Sequence, residues 1–540
     1  MSARSVTSSD VDAFLNRIGG LPTLFGLIVA IEDSLQAKTV KRALTRVFEQ
    51  ETGGDEKMMK PEVIQYLLLG MSAASTKHVR LVSLQQAHQF VRSDKTRRRL
   101  MEMDMLTALI NLLHDEDVEI TEEIVLLLRE LGSTYDGAEK LLHPETLALL
   151  FRLVYGGPSD KDIPTVINAK CTDTTVVSPL LHLIQTGASN LNSIVLMRVL
   201  TLLTHIACGT KLPTSENGPK MKLDADRSKE EVTLHAWELY SQYGLFRLLL
   251  ELSSISPNNP HHDMLVQLNC LELLSEVVSS CPRLDDPFSV QLTKDILDRS
   301  VETIREAASA ASQSKESNGQ IATGGVIPTM SFITVAILRV FNSLAAVSEA
   351  KSVHQWYHEP AFLLFLSACM HNYDDESVQT EAIDLISTLA SFEAGIRFFS
   401  TVTSSLPSSV APSTTSAYLS SPYADAITPI LLFQTPFFIY GSNYSNGLRQ
   451  IASLHGMARM LSTAYPSSSA SRANDSSSSP SSLLETFYSY LIQYNPNKSS
   501  PLDVLLILAR QPFEDVREGV WKVVYALTKH EWVRNGFNQA

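Results

Sequence analysis

Cysteine is scarce in this sequence, and its few copies are not arranged for disulfides or metal binding. The chain of 540 residues contains five cysteines, an odd number, and none forms a C-x-x-C pair. Disulfide frameworks and zinc sites need paired or clustered cysteines, so neither is expected. We predict reduced structural thiols, in a soluble protein of the cytoplasm and nucleus, at Cys171, Cys208, Cys270, Cys281 and Cys369.

Positive charge and long apolar runs are also in short supply. Lys and Arg total 44 against 58 Asp and Glu, which gives a net charge of −14. Such a field repels nucleic-acid phosphates and anionic lipid. No run reaches the roughly 18 apolar residues that a membrane span needs. We therefore expect no nucleic-acid partner and no membrane partner, whereas a basic protein surface would suit this chain.

The motifs of common enzyme classes are missing as well. The sequence contains neither a G-x-x-x-x-G-K-[ST] phosphate loop nor a G-x-S-x-G nucleophile elbow. His354 and His358 stand four residues apart beside Glu359, a spacing that lets two imidazoles share one helix face on a metal. Pro360 follows at once, however, and no third ligand is identifiable. We interpret this pair as stacked or solvated. The two histidines of the Pro260–Asp263 turn, His261 and His262, are interpreted in the same way. We therefore predict a protein with no catalytic residue, metal or cofactor.

One basic cluster departs from the acidic average, and it consists of Arg92, Lys95, Arg97, Arg98 and Arg99. A nucleic-acid contact, a nuclear import patch and contact with an acidic partner surface are the functional alternatives. No aromatic residues are interleaved with these basic residues, although stacking on nucleobases would require them. We interpret the cluster as a solvated connection between helices.

What the sequence does contain is one helical pattern, used repeatedly. From Val516, apolar residues follow at offsets of four, five, eight and eleven, which is one face of a helix: Val520, Trp521, Val524 and Leu527. The same offsets recur from six further origins, with Ser83 as the one departure, at the first offset of the Val79 copy. These origins are Val79, Ile120, Val195, Val266, Ile333 and Val378.

The spacing of the copies indicates the class of repeat. Val79 and Ile120 are 41 residues apart, and Ile333 and Val378 are 45 apart, within the roughly 40–47 residues of armadillo and HEAT units. A shorter apolar helix precedes most copies, and polar residues cap the helix that follows. We therefore predict an all-α fold, a single armadillo/HEAT-like α-solenoid over residues 1–540.

Polar segments interrupt this array. Residues 209–230 and 309–328 are predicted polar inserts, and the Ser/Pro-rich residues 401–424 and 464–482 are predicted low-complexity loops. These segments contain too few apolar side chains to fold on their own, so disorder is expected in them. A degenerate copy of the repeat, "NGLRQIASLHGMARMLSTA", stands between the two loops.

In a solenoid, the exposed faces of successive helices form one long surface that can bind a protein. On the repeated helix, offsets three, six and ten point away from the apolar stripe. Acidic residues dominate these offsets in three of the copies, and the alternative is that they are simply solvated. We predict that a basic protein partner binds there, at Glu123, Glu130, Glu272, Glu276, Glu381 and Asp384.

The last repeat resembles that of a known family. The run "SPLDVLLILARQPFEDVREGVWKVVYALTKHEWVRNGF" is similar to the carboxy-terminal repeat of the proteasome non-ATPase regulatory subunit 5 family. It has the turn Gln511–Phe513 and then Trp532 before Asn-Gly-Phe. The stretches that begin at Lys77 and Glu376 are similar to other repeats of that family.

The resemblance implies a non-catalytic chaperone for assembly of the proteasome regulatory-particle base. Such a protein binds the carboxy-terminal domain of AAA ATPase subunits, holds an assembly intermediate and leaves before the mature proteasome forms. We expect a monomer on its own, in cytoplasm and nucleus. The alternative is an armadillo-like adaptor or scaffold for another protein cargo. Regular Trp/Asn ladders would favour a peptide cargo, and the sequence shows none.

Overall fold

The protein, seen here in a computed structural model, forms only helices among the residues that the structure describes. These are residues 13, 17, 19–50, 60–91, 93–155, 192–209, 228–253, 263–280, 328–347, 362, 366, 369–370, 375–392, 395, 447–462, 501–530 and 533. No strand occurs within them. None of their helices combines the length and apolar character needed to cross a bilayer.

The chain divides into two compact units, Met1–Glu251 with Ser280–Pro282 and Leu252–Ser279 with Arg283–Ala540. The described helices of the first unit are α1 (Leu21–Val29), α2 (Ser34–Gln50), α3 (Pro61–Gly70), α4 (Lys77–Phe90), α5 (Asp94–Leu100), α6 (Met103–Asn111), α7 (Val118–Gly132), α8 (Tyr135–Leu141), α9 (Pro144–Val154), α10 (Ser193–Cys208) and α11 (Lys229–Gln242). The unit boundary falls inside α12 (Leu245–Ser253). The second unit contains α13 (Met264–Ser280, as far as Ser279), α14 (Pro328–Val347), α15 (Glu376–Ala390), α16 (Gly447–Ser462), α17 (Pro501–Leu508) and α18 (Glu514–Leu527).

All seven predicted repeat helices are present, as α4, α7, α10, α13, α14, α15 and α18. The structure explains why α4 tolerates Ser83 within its apolar stripe. Ser83 is fully buried, and its hydroxyl donates to the Val79 carbonyl over 2.8 Å, which satisfies the polar group inside the helix. The side chain also packs directly on Gly70 of α3, where a Cβ would clash with it. Small residues are therefore needed at both contacting positions, 70 and 83.

Polar caps begin several of these helices, as the sequence predicts, whereas the N-cap residue of α18, Phe513, provides no side-chain cap. Side-chain oxygens of the cap residues accept hydrogen bonds from backbone N–H groups of the first turn, and these residues are Asp117 for α7, Asn192 for α10, Asp263 for α13 and Asp375 for α15. Each cap satisfies donors that the first turn of a helix leaves without intrahelical partners. Asp263 thus has a structural role as the cap of α13.

Successive repeat helices pack on one another within each unit. In the first unit α4 packs on α7, α7 on α10 and α10 on α11. In the second unit α14 packs on α15, α15 on α16 and α16 on α18. Packing between neighbours along the chain is the organisation of a solenoid. The protein is therefore all-α and armadillo/HEAT-like, whereas one continuous array over residues 1–540 remains a prediction.

A glycine allows two of these helices to cross closely. A Cβ placed on Gly132, at the end of α7, would lie 2.6 Å from Ile206 Cγ1 of α10. That distance is well inside van der Waals contact, so any larger residue would push α10 away. A small residue stands twelve positions after the origin in four of the repeats, at Gly132, Ala207, Ala345 and Ala390, and in α7 it has this packing role.

Trp521 is an exposed member of the predicted apolar stripe of α18. Its side chain is 56% exposed, whereas Leu200 of α10 and Ile383 of α15, at the same offset, are at most 1% exposed. Helix α18 packs on α16 through the side that carries Gly519 and the fully buried Val523. The buried face is therefore turned away from offset five, and Trp521 lies outside this helix contact although it fits the apolar pattern.

Several sequence predictions fall outside the described residues. They concern residues 210–227, 309–327, 401–424 and 464–482, the cluster of His354, His358 and Glu359, and the residues Arg92, His261, His262, Cys171 and Cys281.

Candidate functional site

Four of the six acids predicted to bind a partner, Glu123, Glu130, Glu381 and Asp384, contact a neighbouring repeat helix. On α7, Glu123 and Glu130 flank His88 of α4. The distances are 3.3 Å from Glu123 Oε1 to His88 Nε2, and 3.2 Å from Glu130 Oε2 to His88 Nδ1. All three side chains are half-buried. Because two carboxylates share one imidazole, the group keeps a net negative charge in either protonation state of the histidine.

A related arrangement joins α14 and α15 in the second unit. Arg339 Nε of α14 donates to Glu381 Oε1 of α15 over 2.8 Å. One turn further along, Asn342 Nδ2 donates to Asp384 Oδ2, also over 2.8 Å. Glu381 and Asp384 are therefore bound by side chains of the preceding repeat.

These contacts between repeats share one sequence separation. His88 and Glu130 are 42 residues apart, and so are the two pairs that join α14 to α15. This separation is one armadillo or HEAT unit. Complementary polar residues at the repeat length are therefore a signal present in the sequence, and the apolar pattern within single helices does not reveal it.

Helix α16 extends the contacts by one more repeat. Arg459 Nη1 lies 3.0 Å from Asp384 Oδ1 and donates to Thr388 Oγ1 over 2.7 Å. The Thr388 hydroxyl in turn donates to Asn342 Oδ1 over 2.6 Å. We call this connected set the polar ladder, and it consists of Arg339, Asn342, Glu381, Asp384, Thr388 and Arg459.

Charge within the polar ladder is balanced, because two acids meet two arginines. Its side chains still reach solvent, with Arg339 54% and Asp384 36% exposed. The attraction of Glu381 and Asp384 for a basic partner is therefore weaker than their sequence positions suggest. Their assignment to a partner remains a prediction, and the structure assigns them in addition a role in joining repeats.

Helix α13 carries the remaining two predicted acids. Glu272 is the one member of the six that is fully exposed, and Glu276, one turn later, is half-buried. Between them Ser275 is joined to Ser343 of α14 through their hydroxyls, which are 2.7 Å apart. Glu272 therefore projects beyond the helix contact, where a partner could reach it.

A second polar cluster joins α4, α7 and α10 in the first unit. Arg80 Nε of α4 lies 2.8 Å from Asp115 Oδ2, in the turn before α7. Arg198 Nη1 of α10 donates to the carbonyls of Leu113 and Asp115, over 2.8 Å and 3.1 Å. Burial lowers the pKa of Arg198 from its ordinary value, and the charge of Asp115 opposes that shift. The turn is thus held by a cation on each side.

An open cavity of about 460 Å³ lies between α7 and α10. Its lining is mainly apolar, with two arginines and one glutamate, and consists of Val118, Thr121, Glu122, Val125, Leu126, Arg129 and Arg198. Val118 is 63% exposed. The volume lies within the range of ligand pockets, and it could also hold one or two side chains of a bound segment.

The described titratable groups show no pKa shift that would prepare a nucleophile. Burial raises the pKa of the Cys270 and Cys369 thiols, which disfavours the reactive thiolate. The Arg99 guanidinium lowers the pKa of Asp104 to about 2, which keeps that carboxylate ionised. Within the described ranges no three His, Cys, Asp or Glu side chains come together as metal ligands.

The basic cluster is largely occupied within the protein. Arg97 is 3% exposed and pairs with Asp94 on the same helix, α5. Arg99 donates to both carboxylate oxygens of Asp104, over 2.7 Å each. Arg98 is exposed. The interpretation as a solvated connection holds for Arg98, whereas it is wrong for the buried Arg97, and the segment that carries both is itself a helix, α5.

No family model and no curated protein matches this chain. Solved structures that match include an engineered protein with 12% identity and a TM-score of 0.34, covering 94% of this chain and 98% of that one. A designed armadillo repeat protein has 11% identity and a TM-score of 0.27, over 60% and 98% of the two chains. UNC-45 from Drosophila melanogaster has 13% identity and a TM-score of 0.29, over 99% and 64%. Likenesses this distant carry no argument about function, and the assignment to the armadillo/HEAT-like helical scaffolds rests on the packing described above.

Proposed function

We propose that this protein is a non-catalytic chaperone for assembly of the proteasome regulatory-particle base, acting in the cytoplasm and nucleus. It binds the carboxy-terminal domain of AAA ATPase subunits through the exposed surface of its repeats. The observation that supports this most is the last repeat, which carries the family resemblance. Helix α17, the Gln511–Phe513 turn and α18 follow one another there.

The Gln511–Phe513 turn is held in place by a specific contact. Arg517 Nη1 of α18 donates to the Gln511 carbonyl over 3.1 Å and to the Pro512 carbonyl over 3.0 Å. The turn presents Phe513 to solvent with 63% of its surface exposed. An exposed aromatic on a fixed turn is typical of a residue that anchors a partner. The part of the chain that resembles the family is thus a preformed element.

Charge favours a basic surface on the partner. Glu123 and Glu130 share only His88, so α7 presents net negative charge, and α13 presents the exposed Glu272. Complementary potentials speed encounter and fix orientation more than they add affinity. We therefore assign recognition of a basic ATPase surface to these two helices, in preference to the balanced polar ladder.

The mechanism is occupancy of a surface. A chaperone that binds an ATPase domain stabilises its folded state by about 2.7 kcal/mol when the free chaperone is at a hundred times its Kd. While it is bound, it excludes other proteins from the same surface, so premature docking is blocked. Release follows when a later assembly step competes for that surface.

Affinity purification of the tagged protein from its own cells, followed by mass spectrometry, tests the proposal. We expect a small set of base ATPase subunits without core-particle subunits. Recovery of intact proteasomes would point to a stable subunit or a passing substrate. Recovery of proteins that include no ATPase would overturn the proposed function.

Charge-neutral variants then test the assigned surface. The pair Glu123→Gln and Glu130→Gln keeps the side-chain shape but removes both charges, and should weaken ATPase binding about tenfold at low salt. Glu381→Gln, within the balanced polar ladder, is the matched control and should change binding less than twofold. Equal losses in both would show that recognition does not follow the charge of α7.

The alternative function, an armadillo-like adaptor for another protein cargo, is favoured by the cavity between α7 and α10. An extended cargo segment could place an apolar side chain on Val125 and Leu126. Leu126→Asp would place a charge in that lining. If this substitution alone abolishes co-purification of a protein that is not an ATPase, the result would favour the adaptor over the chaperone.

A further inference from the structure

Five helices of the repeat series expose one large apolar residue near their start. Each of these residues stands one or two positions before a buried residue of its helix, and its exposed fraction lies between 58% and 67%. Each lies inside its helix, whereas the packed residue of a hydrophobic staple precedes the cap, so helix capping does not account for them. They are Val118 of α7, Ile194 of α10, Leu265 of α13, Phe332 of α14 and Leu448 of α16.

In the second unit, α14, α15 and α16 bring their starts to one edge of the stack. Arg339 and Asn342 of α14 each contact the residue 42 positions later on α15, so these two helices run in the same direction. Arg449 and Arg459 of α16 meet acids of α15 in the same order. The starts of the three helices therefore lie side by side.

Glu376 joins the start of α15 to that of α16. Its Oε1 lies 3.9 Å from Arg449 Nε, and a Cβ placed on Gly447 would lie 3.4 Å from the same oxygen. Leu448 stands between these two residues in the chain. The carboxylate therefore lies close to the turn that exposes Leu448.

Asp375 joins the start of α15 to that of α14. Although burial raises the pKa of the Asp375 carboxyl, hydrogen bonds from the Ser331 hydroxyl of α14 and from two backbone N–H groups of α15 lower it overall, so the group stays ionised. Ser331 directly precedes the exposed Phe332. The order across the edge is thus apolar, acidic, apolar. We call this set the edge row, and it consists of Phe332, Asp375, Glu376 and Leu448.

The edge row carries net negative charge. Near the starts of the three helices, Arg449 is the one described cation, and it stands against both Asp375 and Glu376. The positive end of the α15 dipole attracts no further anion, because Asp375 already caps it. The start of α18, next in the stack, adds two acids and one arginine over residues 514–517. An occupant with a basic residue is therefore favoured over one with an acidic residue.

The spacing of the helices sets the form of the occupant. Packed helices stand about 8–10 Å apart and an extended chain advances about 3.3 Å per residue, so three residues span one step between helices. We propose that the edge row binds an extended segment of another protein. The segment places an apolar residue on Phe332, a basic residue three positions along on the acids of α15, and a second apolar residue three positions further on Leu448.

An extended segment fits the edge row better than a helix does. Carboxylates separate the two apolar contacts, whereas a partner helix would present a continuous apolar stripe. Two apolar contacts and one exposed ion pair make a weak interaction, with a Kd on the order of 100 µM. The edge row is separate from α7 and α13, to which recognition of an ATPase is assigned, and the inference does not rest on the proposed chaperone role.

Fluorescence anisotropy of a labelled peptide with the full chain tests the proposal. The probe Ser-Leu-Ser-Gly-Arg-Gly-Ser-Leu-Ser has the proposed spacing, and the control peptide Ser-Gly-Ser-Leu-Arg-Leu-Ser-Gly-Ser has the same composition with the three residues together. The control peptide should bind at least about fivefold more weakly than the probe. Equal binding of the two peptides, or no binding of the probe at about 500 µM protein, overturns the proposal.

Truncation of the apolar residues locates the site. Phe332→Ala and Leu448→Ala should each weaken binding of the probe at least about fivefold, and alanine favours the helix in both. Tyr525→Ala on α18 is the matched control, because Tyr525 and Phe332 are both 67% exposed, and it should leave binding unchanged. Equal effects of the three substitutions would contradict the site. If the wild type dimerises and Phe332→Ala makes it monomeric, a second copy occupies the edge row and the proposal is wrong.

A double-mutant cycle tests the charge pairing. Glu376→Gln, and replacement of the arginine of the probe by glutamine, should each weaken binding about twofold to fivefold at low salt. The two changes together should cost no more than either alone, because both remove the same pair. The loss should shrink in about 0.5 M NaCl, which screens exposed charges. Additive losses would overturn the pairing, and with it the choice of a basic segment as the occupant.

Discussion

Asp384 of α15 pairs with Arg459 of α16, with 3.0 Å between Oδ1 and Nη1. The same carboxylate accepts a hydrogen bond from Asn342 of α14. One acidic side chain therefore joins three helices of the second unit. In a solenoid, stability is a sum of repeat terms and interfaces between neighbours, so a residue shared by two interfaces couples them.

Removal of this carboxylate should cost more than removal of an ordinary surface charge. Asp384→Ala leaves Arg459 and Asn342 without a common acceptor. The ion pair is more than a third exposed, so solvent screens it, and we expect a loss of about 1 kcal/mol in the free energy of unfolding. Urea unfolding followed by circular dichroism measures this value. Glu272→Ala, on an exposed part of α13, should stay within about 0.5 kcal/mol of the wild type.

A double-mutant cycle separates the pair from other effects of the substitution. Asp384→Ala and Arg459→Ala should couple by about 0.5–1 kcal/mol. Additive losses would mean that the two side chains contribute independently, and that α15 and α16 are joined by apolar packing alone.

The crossing of α7 and α10 at Gly132 should not accept a methyl group. Gly132→Ala places a Cβ 2.6 Å from Ile206 Cγ1, so α10 must move, and we expect a loss of about 1–3 kcal/mol. Gly26→Ala in α1 is the matched control. Its Cβ would meet only Tyr66, at 3.4 Å, and alanine favours helix, so this substitution should be neutral or slightly stabilising. Thermal unfolding of both variants compares them, and equal melting temperatures would contradict the close crossing.

Stability should fall in acid in part through Asp104. Arg99 lowers the pKa of Asp104 to about 2, below the ordinary value of 3.8. A carboxyl with a lowered folded-state pKa stabilises the protein above its unfolded-state pKa, and this contribution is lost as the pH falls from about 4 to 2. Because Asp104 is half-exposed, the contribution is at most about 1 kcal/mol.

Asp104→Asn should therefore lower the free energy of unfolding at pH 6, while leaving it nearly unchanged at pH 2. Urea titrations at the two pH values measure the difference. Arg99→Gln removes the same interaction from the other side and should give the same pattern. A loss that is equal at both pH values would show that the substitution acts through packing.

The described cysteines should be unreactive in the folded protein. Cys270 is fully buried, and burial raises the pKa of its thiol, so the thiolate that attacks alkylating agents is rare. Iodoacetamide at pH 8 should label Cys270 at least a hundredfold more slowly in buffer than in 6 M guanidinium chloride. Mass spectrometry of the Cys270 peptide gives both rates, and similar rates would contradict the burial.

Most of the helical architecture could be predicted because apolar periodicity is a local property. A stripe such as Val79, Leu84, Ala87 and Phe90 stays on one face of a helix wherever that helix packs. Trp521 fits the same stripe, yet it is exposed, because exposure depends on which neighbour is present. The pattern identifies the face that can be buried, and the packing of α16 on α18 selects the part that is buried.

For the candidate site too, the sequence predicts one part of the arrangement and not the other. The sequence places Glu381 and Asp384 away from the apolar stripe, and they lie there. It does not reveal that Arg339 and Arg459 meet them, because those contacts cross repeats. The recurring separation of 42 residues could have indicated two of these contacts. Arg459, which follows a long interval, carries no such signal.

By itself, the sequence determined that this chain forms helices, where seven of them begin and which side of most is apolar, since backbone capping and periodicity act within one helix. The tertiary structure alone decided which polar residues pair and which remain exposed. Pairing requires atoms from separate repeats to come within about 3 Å, and a spacing along one helix does not specify that distance. The balanced polar ladder and the exposure of Trp521 on α18 were both decided by the tertiary structure in this way.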